Sequence, residues 1–196
     1  MANQIENGAG TRHPWQIDSG NRGRIKGTVD TGLVDAVAAG RLFAIATSVV
    51  SLTSANHSHL LYIKNNGDEE LHLAHVNLQF GTSDGSGDYQ STLTINPTTG
   101  TLITGGTNGV AANLNSGSTE SLTADIKIGD EGKTITDGAG ITDLFSDTAN
   151  RYLIPLDIRL AKGKSASFSM KAQPSNTACD VAVTLVLYKV SPVDKE

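Results

Sequence analysis

Residues Leu60–Phe80, LLYIKNNGDEELHLAHVNLQF, carry the reading on which the fold class rests. Two apolar runs flank Asn65-Asn66-Gly67-Asp68. Asn and Gly tolerate positive φ, so this quartet predicts a tight turn and its flanks predict a β-hairpin. In the second run Ala74, Val76, Leu78 and Phe80 alternate with His75, Asn77 and Gln79. That is the period of a strand with one face in a core and the other in water. Leu71 and Leu73 sit on the opposite parity, which a bulge or burial of both faces at that end would explain. The stretch predicts antiparallel β structure and carries no chemistry of its own.

The same patterns extend in both directions. Upstream, Leu42–Leu52 reads as a β-branched, apolar first strand. Downstream, Thr82–Asp88 is a loop and Thr92–Asn96 a short strand ending at Pro97. Thr98-Thr99-Gly100 turns the chain into Thr101–Thr104, and Gly105–Ser118 is a long polar loop. Leu122–Ile128 alternates as a half-buried strand, Gly129–Gly140 is a Gly-rich loop, and Ile141–Ala149 reads as a turn or two of helix. Ile154, Leu156, Ile158 and Leu160 alternate with Pro155, Asp157 and Arg159. Pro155 lacks an N–H, which puts it at a sheet edge or a strand end. After the turn Ala161–Lys164, Ala166, Phe168 and Met170 alternate with Ser165, Ser167 and Ser169. Val181–Val190 is apolar on both parities, so it predicts a strand covered on one side by a second sheet and on the other by another subunit. From this we expect an oligomer interface at Val181, Val183, Leu185, Leu187 and Tyr188. About eight short strands with Gly-rich turns predict an all-β, antiparallel, jelly-roll-like sandwich.

The first 40 residues differ, and the expected division is an extended N-terminal arm, 1–40, and a jelly-roll β domain, 41–196. The arm holds seven glycines and few apolar residues. To residue 27, Arg12, Arg22, Arg24 and Lys26 face only Glu6 and Asp18, giving +2 against −7 for the remainder of a chain of net charge −5. So few apolar groups cannot offset ordering entropy by burial, so the arm orders only against another surface. Trp15, the chain's only Trp, either folds back on its own domain or anchors in a partner's pocket. Val34–Ala39 suits a short helix or a strand.

Among 196 residues there is one cysteine, Cys179, so an internal disulfide and a Cys-rich zinc site are excluded, and a buried inert thiol is expected. The acidic balance argues against nucleic acid as a partner. There is neither a signal-peptide pattern nor an apolar run near the roughly 20 residues of a membrane span, so the expectation is a soluble protein of a reducing cytosol with no membrane partner. Walker, Gly-x-Ser-x-Gly and His-Glu-x-x-His patterns are missing. His57 and His59 share a strand face, and hairpin pairing would bring His72 or His75 toward them. Surface imidazoles are the default reading, and no metal or other cofactor is assigned. No catalytic residue is assigned either, and the chain is read as a non-enzyme.

Between Leu61 and Gly138 the sequence carries Tyr62-Ile63-Lys64-Asn65-Asn66, Asn96-Pro97-Thr98-Thr99-Gly100-Thr101 and Asn113-Leu114-Asn115-Ser116-Gly117-Ser118. Gly129-Asp130-Glu131-Gly132 and Thr134–Gly138 follow. This pattern resembles virion structural proteins of tailed bacteriophages, and jelly-roll capsid cement (decoration) proteins in particular. The resemblance implies a homotrimer on the capsid surface, made in the host cytoplasm, whose partner is the major capsid protein. It implies an arm that reaches neighbouring subunits, with Arg12, Trp15, Arg22, Arg24 and Lys26 as its capsid-binding residues. A tail or receptor-binding component, using Thr82–Asp88 and Gly105–Ser118 to bind host glycan, is the alternative. Only Tyr89 supplies an aromatic ring near those loops. A carbohydrate-active enzyme of this fold would need aromatic platforms, and aromatic residues make up only 5% of the chain.

Overall fold

The computed structural model describes residues 16–17, 23–24, 32–53, 56–81, 89–146, 150–172 and 178–190. The chain divides into two units, Met1–Thr31 and Gly32–Glu196. In the first, β1 (Gln16–Ile17) pairs antiparallel with β2 (Gly23–Arg24). The second begins with helix α1 (Gly32–Ala38), which settles the choice left open at Val34–Ala39. Gly40, at φ +68°, ends it by donating to Val37 O at 2.9 Å while Arg41 N reaches Ala36 O at 2.7 Å.

The strands of the second unit are β3 (Leu42–Ala46), β4 (Val50–Leu52), β5 (Ser58–Asn65), β6 (Leu71–Phe80) and β7 (Tyr89–Ile95). A helical turn, α2 (Thr101–Gly105), precedes β8 (Thr107–Asn108), β9 (Ala112–Asn113) and β10 (Ala124–Ile128). Then come β11 (Ala139–Ser146), β12 (Arg151–Leu160), β13 (Ser165–Lys171) and β14 (Cys179–Lys189). One sheet runs β12-β6-β14-β3-β9, with β4 also on β14, and the other runs β11-β7-β13-β5-β10-β8. Four antiparallel pairs are nested along the chain: β3 with β14, β5 with β13, β6 with β12, and β7 with β11. Successive pairs alternate between the two sheets. A long hairpin rolled up in this way is a jelly roll, and the expected all-β sandwich of eight principal strands is what forms.

The hairpin expected at Leu60–Phe80 does not form, because β5 and β6 lie in different sheets. The turn quartet is real, but it carries the chain across the sandwich. Asn65, with no exposed surface, donates through Nδ2 to Glu69 O (2.8 Å) and Leu160 O (2.9 Å), and its Oδ1 accepts from Gly67 N (2.9 Å). Its backbone bonds Lys164 O and Gly163 N, in the turn that takes β12 to β13. That second turn also changes sheets, so the two corners are locked on one side chain. The bulge expected near Leu71 is present: Val186 faces His75 while Leu187 faces Leu73, leaving Ala74 unpaired. One extra residue resets the parity, so Leu71, Leu73, Val76, Leu78 and Phe80 all reach the core.

Two more expectations are corrected. Ile141–Ala149 is no helix through its described part, since 139–146 pair with β7 along a bulged register. Leu42–Leu52 is two strands, β3 and β4, parted where Thr47 bonds Val183 in both directions. Pro155 does lie on an edge strand, β12. Cys179 is buried, and its thiol donates to Gly81 O at 3.3 Å. Burial, and then Asp180, push its pKa up, which leaves an inert thiol.

Between β7 and β11 the chain makes an excursion, residues 96–138, that holds most of the turn residues of the resemblance. Two of its segments, 98–101 and 134–137, bond to each other. Asp137 Oδ1 accepts from Thr98 N and Thr99 N, both at 2.9 Å, and its other oxygen accepts from the Thr98 hydroxyl. Thr99 meets Thr136 at 2.8 Å and Thr134 N donates to Thr101 Oγ1 at 2.9 Å. Gly100, at φ +148°, is obligatory, because a Cβ there would lie 2.3 Å from Thr134 O. The excursion then adds β10 beside β5 in one sheet and β9 beside β3 in the other. It thereby covers both sheets along one side of the sandwich, leaving β11 and β12 as the long edges of the other side.

Candidate functional site

The outward face of the β12-β6-β14-β3 sheet is the best-formed candidate surface. Register sets its residues in rows. One row is Ala46, Thr184, Asn77 and Leu153, and the next is Ala44, Val186, His75 and Pro155. Neither holds an acidic or a basic chain other than an imidazole. Beyond the first lie Ala182, Gln79 and Arg151, and beyond the second lie Leu42, Tyr188, His72 and Arg159. Small and uncharged side chains thus fill the middle, with Leu153 66% exposed and arginines at the rim. Depletion of charge at the centre with Arg at the margin is the composition of a protein–protein contact.

The expected interface residues divide by parity. Val181, Val183, Leu185 and Leu187 are at most 1% exposed and lie in the core between the sheets. They are unavailable to a partner, and this part of the expectation is corrected. The double apolar parity of the last strand predicts one face covered by the second sheet and the other by another subunit, and the expected interface residues are drawn from both faces. One of the two faces is the chain's own core, and the other is the open face carrying Ala182, Thr184, Val186 and Tyr188. Tyr188 is therefore the single expected interface residue on the outward side. Of the expected arm residues, Arg24 lies in β2, opposite Gln16. Arg12, Trp15, Arg22 and Lys26 lie outside the described residues, as does Thr82–Asp88.

The opposite sheet presents a polar face. Ser165, Ser167 and Ser169, which alternate with the core residues of β13, are all buried. Their side chains are small and their neighbours on β5 and in the excursion close over them. Ser165 Oγ donates to Pro97 O at 2.8 Å, Ser167 meets His59 Nδ1 at 3.1 Å, and Ser169 meets His57 Nδ1 at 3.3 Å. His57 Nε2 also bonds Gln90 at 3.2 Å. His57 and His59 lie with one sheet, while His72 and His75 lie on β6 of the other, so hairpin pairing does not bring His72 or His75 toward them. Among the described residues no three His, Cys, Asp or Glu side chains group as metal ligands.

His59 has a consequence for stability. Its burial, and then the neighbouring His57, lower its pKa from 6.5 to about 4. The unfolded chain therefore binds a proton that the folded chain refuses between those values, so stability falls as pH drops from 6.5 toward 4. His72 is shifted in the same direction, chiefly by burial. Urea denaturation at pH 7 and pH 4.5 should show the loss, and His59→Gln should shrink the difference between the two midpoints.

No family model matches the chain, and no curated protein matches it. The fold itself defines the class, an antiparallel β-sandwich of jelly-roll connectivity. Among solved structures, the chain is similar to the 2.6 Å structure of infectious bursal virus-derived T=1 particles, at 11% identity and a TM-score of 0.13, covering 79% of this chain and 39% of that one. It is also similar to the infectious bursal disease virus VP2 subviral particle, at 12% identity and a TM-score of 0.13, covering 80% and 41%. The chain spans about two fifths of the length of these two structures.

Proposed function

We propose that this chain is a non-enzymatic virion structural protein of a tailed bacteriophage, a cement protein that binds the outside of the capsid and stabilises the shell. The observation that carries the reading is the excursion 96–138. Two of the turn segments that resemble cement proteins, 98–101 and 134–137, are bonded to each other, and the excursion that holds them covers one side of a jelly roll. The outer face, uncharged in its middle rows, supports a role in contact: it suits packing against the capsid protein or a second copy in a homotrimer. A cement protein acts by linkage, binding the assembled shell and not its dissociated subunits, so each bound copy adds to shell stability. The basic arm multiplies this, because tethered weak contacts act at high effective concentration.

The test is co-sedimentation with emptied, expanded capsids, followed by heating of the shells with and without the protein. Binding should raise the temperature of shell disruption. Deleting residues 1–26 should leave the sandwich folded by circular dichroism and remove particle binding. A truncated chain that unfolds would mean the arm is part of the fold and not an attachment device. Retention on glycan arrays without capsid binding would favour the receptor-binding alternative.

A further inference from the structure

At one corner of the outward face lies a relay whose chemistry a contact with the capsid would not need. Tyr188 on β14 and Arg159 on β12 flank His72 on β6 in register. The Tyr188 hydroxyl is hydrogen-bonded to His72 Nδ1, with ring centroids 4.7 Å apart. On the other side of the imidazole, His72 Nε2 lies 2.9 Å from Asp157 Oδ1. A carboxylate only accepts, so Nε2 carries the ring proton, Nδ1 is the lone pair, and Tyr188 is the donor. Asp157 is not the register partner of His72. It reaches the ring because the β12 bulge between Pro155 and Ile158 holds it at φ +49°, a left-handed conformation for a non-glycine residue. The His72 side chain is 12% exposed, while that of Asp157 is 92% exposed. The charged groups facing the imidazole are Asp157 and Arg159 from β12, the latter 4.0 Å from Glu70. Burial lowers the His72 pKa, Asp157 raises it and Arg159 lowers it, with a net fall that keeps the ring neutral near pH 7.

We propose that Tyr188 is an activated phenol, a covalent modification site for acyl-type electrophiles, with His72 as its proton acceptor and Asp157 as the residue that positions His72. The order carboxylate, imidazole, hydroxyl is that of an activated nucleophile, with a phenol in the place of an alcohol. With an acylimidazole, the phenolic oxygen attacks the carbonyl carbon as its proton passes to His72 Nδ1. The carbon–nitrogen bond breaks, imidazole leaves with that proton, and Tyr188 retains the acyl group as an aryl ester. The inference stands apart from capsid binding and survives if that reading fails.

The experiment treats the full chain with N-acetylimidazole between pH 5 and pH 8. Peptide mass spectrometry follows acetylation at Tyr62, Tyr89, Tyr152 and Tyr188, with N-acetyltyrosinamide in the same tube as reference. Tyr188 should react at least about tenfold faster than the reference, a modest share of what a positioned base supplies. Its rate should fall as acid protonates His72. His72→Gln, which can still accept the hydroxyl hydrogen bond, should bring the rate to the reference or below. Asp157→Asn, a change at an exposed side chain, should slow it in a protein that keeps its fold. A Tyr188 rate no higher than the reference, or one unchanged in Asp157→Asn, overturns the proposal.

Discussion

Asn65→Ala should destabilise the sandwich by about 3 kcal/mol, since one buried and two part-buried polar groups lose their partners together, at about 1–3 kcal/mol for a buried group. The substitution strands Glu69 O and Leu160 O, and it frees Gly67 N from its acceptor. Each of these belongs to a corner where the chain changes sheets, so the loss falls on the topology and not on one strand. Asn65→Asp separates the contributions. Aspartate keeps the acceptor for Gly67 N but puts a buried carboxylate against two carbonyls, so it should cost more than alanine. Urea denaturation followed by circular dichroism reads both. A variant with a wild-type midpoint would show that the corners hold without the side chain.

The second large effect is a contrast between neighbours on β14. Leu185→Asp buries an unpaired charge at a position with no exposed surface, and should cost on the order of 5 kcal/mol, enough to unfold a typical domain. Val186→Asp, one residue on, faces outward between Ala44 and His75. It should cost about 1 kcal/mol, the span of β-propensity. Under the proposed function it should also weaken capsid binding or self-association in a folded protein. Midpoints from denaturation and co-sedimentation of Val186→Asp separate stability from contact. Equal midpoints for the two variants would contradict the parity of the last strand.

How far the chain could be read depends on what each residue reports. Ala74, Val76, Leu78 and Phe80 announced a strand because side-chain alternation is a local property. Pro155 announced an edge because a missing N–H is one too. The parity break at Leu71 and Leu73 announced the bulge at Ala74. Which strand pairs with which is different. Asn65-Asn66-Gly67-Asp68 reads equally well as a hairpin turn and as a corner between sheets. The decision lies with Leu160 O and Lys164 O, about a hundred residues downstream. The oligomer reading of Val181–Val190 failed in part for the same reason, since apolar side chains on both parities do not say which face the chain itself covers.

The His72, Asp157 and Tyr188 relay was hidden most deeply. Its three members are far apart in sequence, and the bulge that aims Asp157 leaves no mark in composition. By itself the sequence determined the class: antiparallel β, turn-rich and built from about eight short strands, with a buried thiol and a basic N-terminal segment. Those follow from periodicity, charge and the chemistry of single residues. Only the tertiary structure decided the nesting of the strand pairs, the outward parity of β14 and the locked excursion. Each depends on hydrogen bonds between residues distant in the chain, and local periodicity holds no record of them.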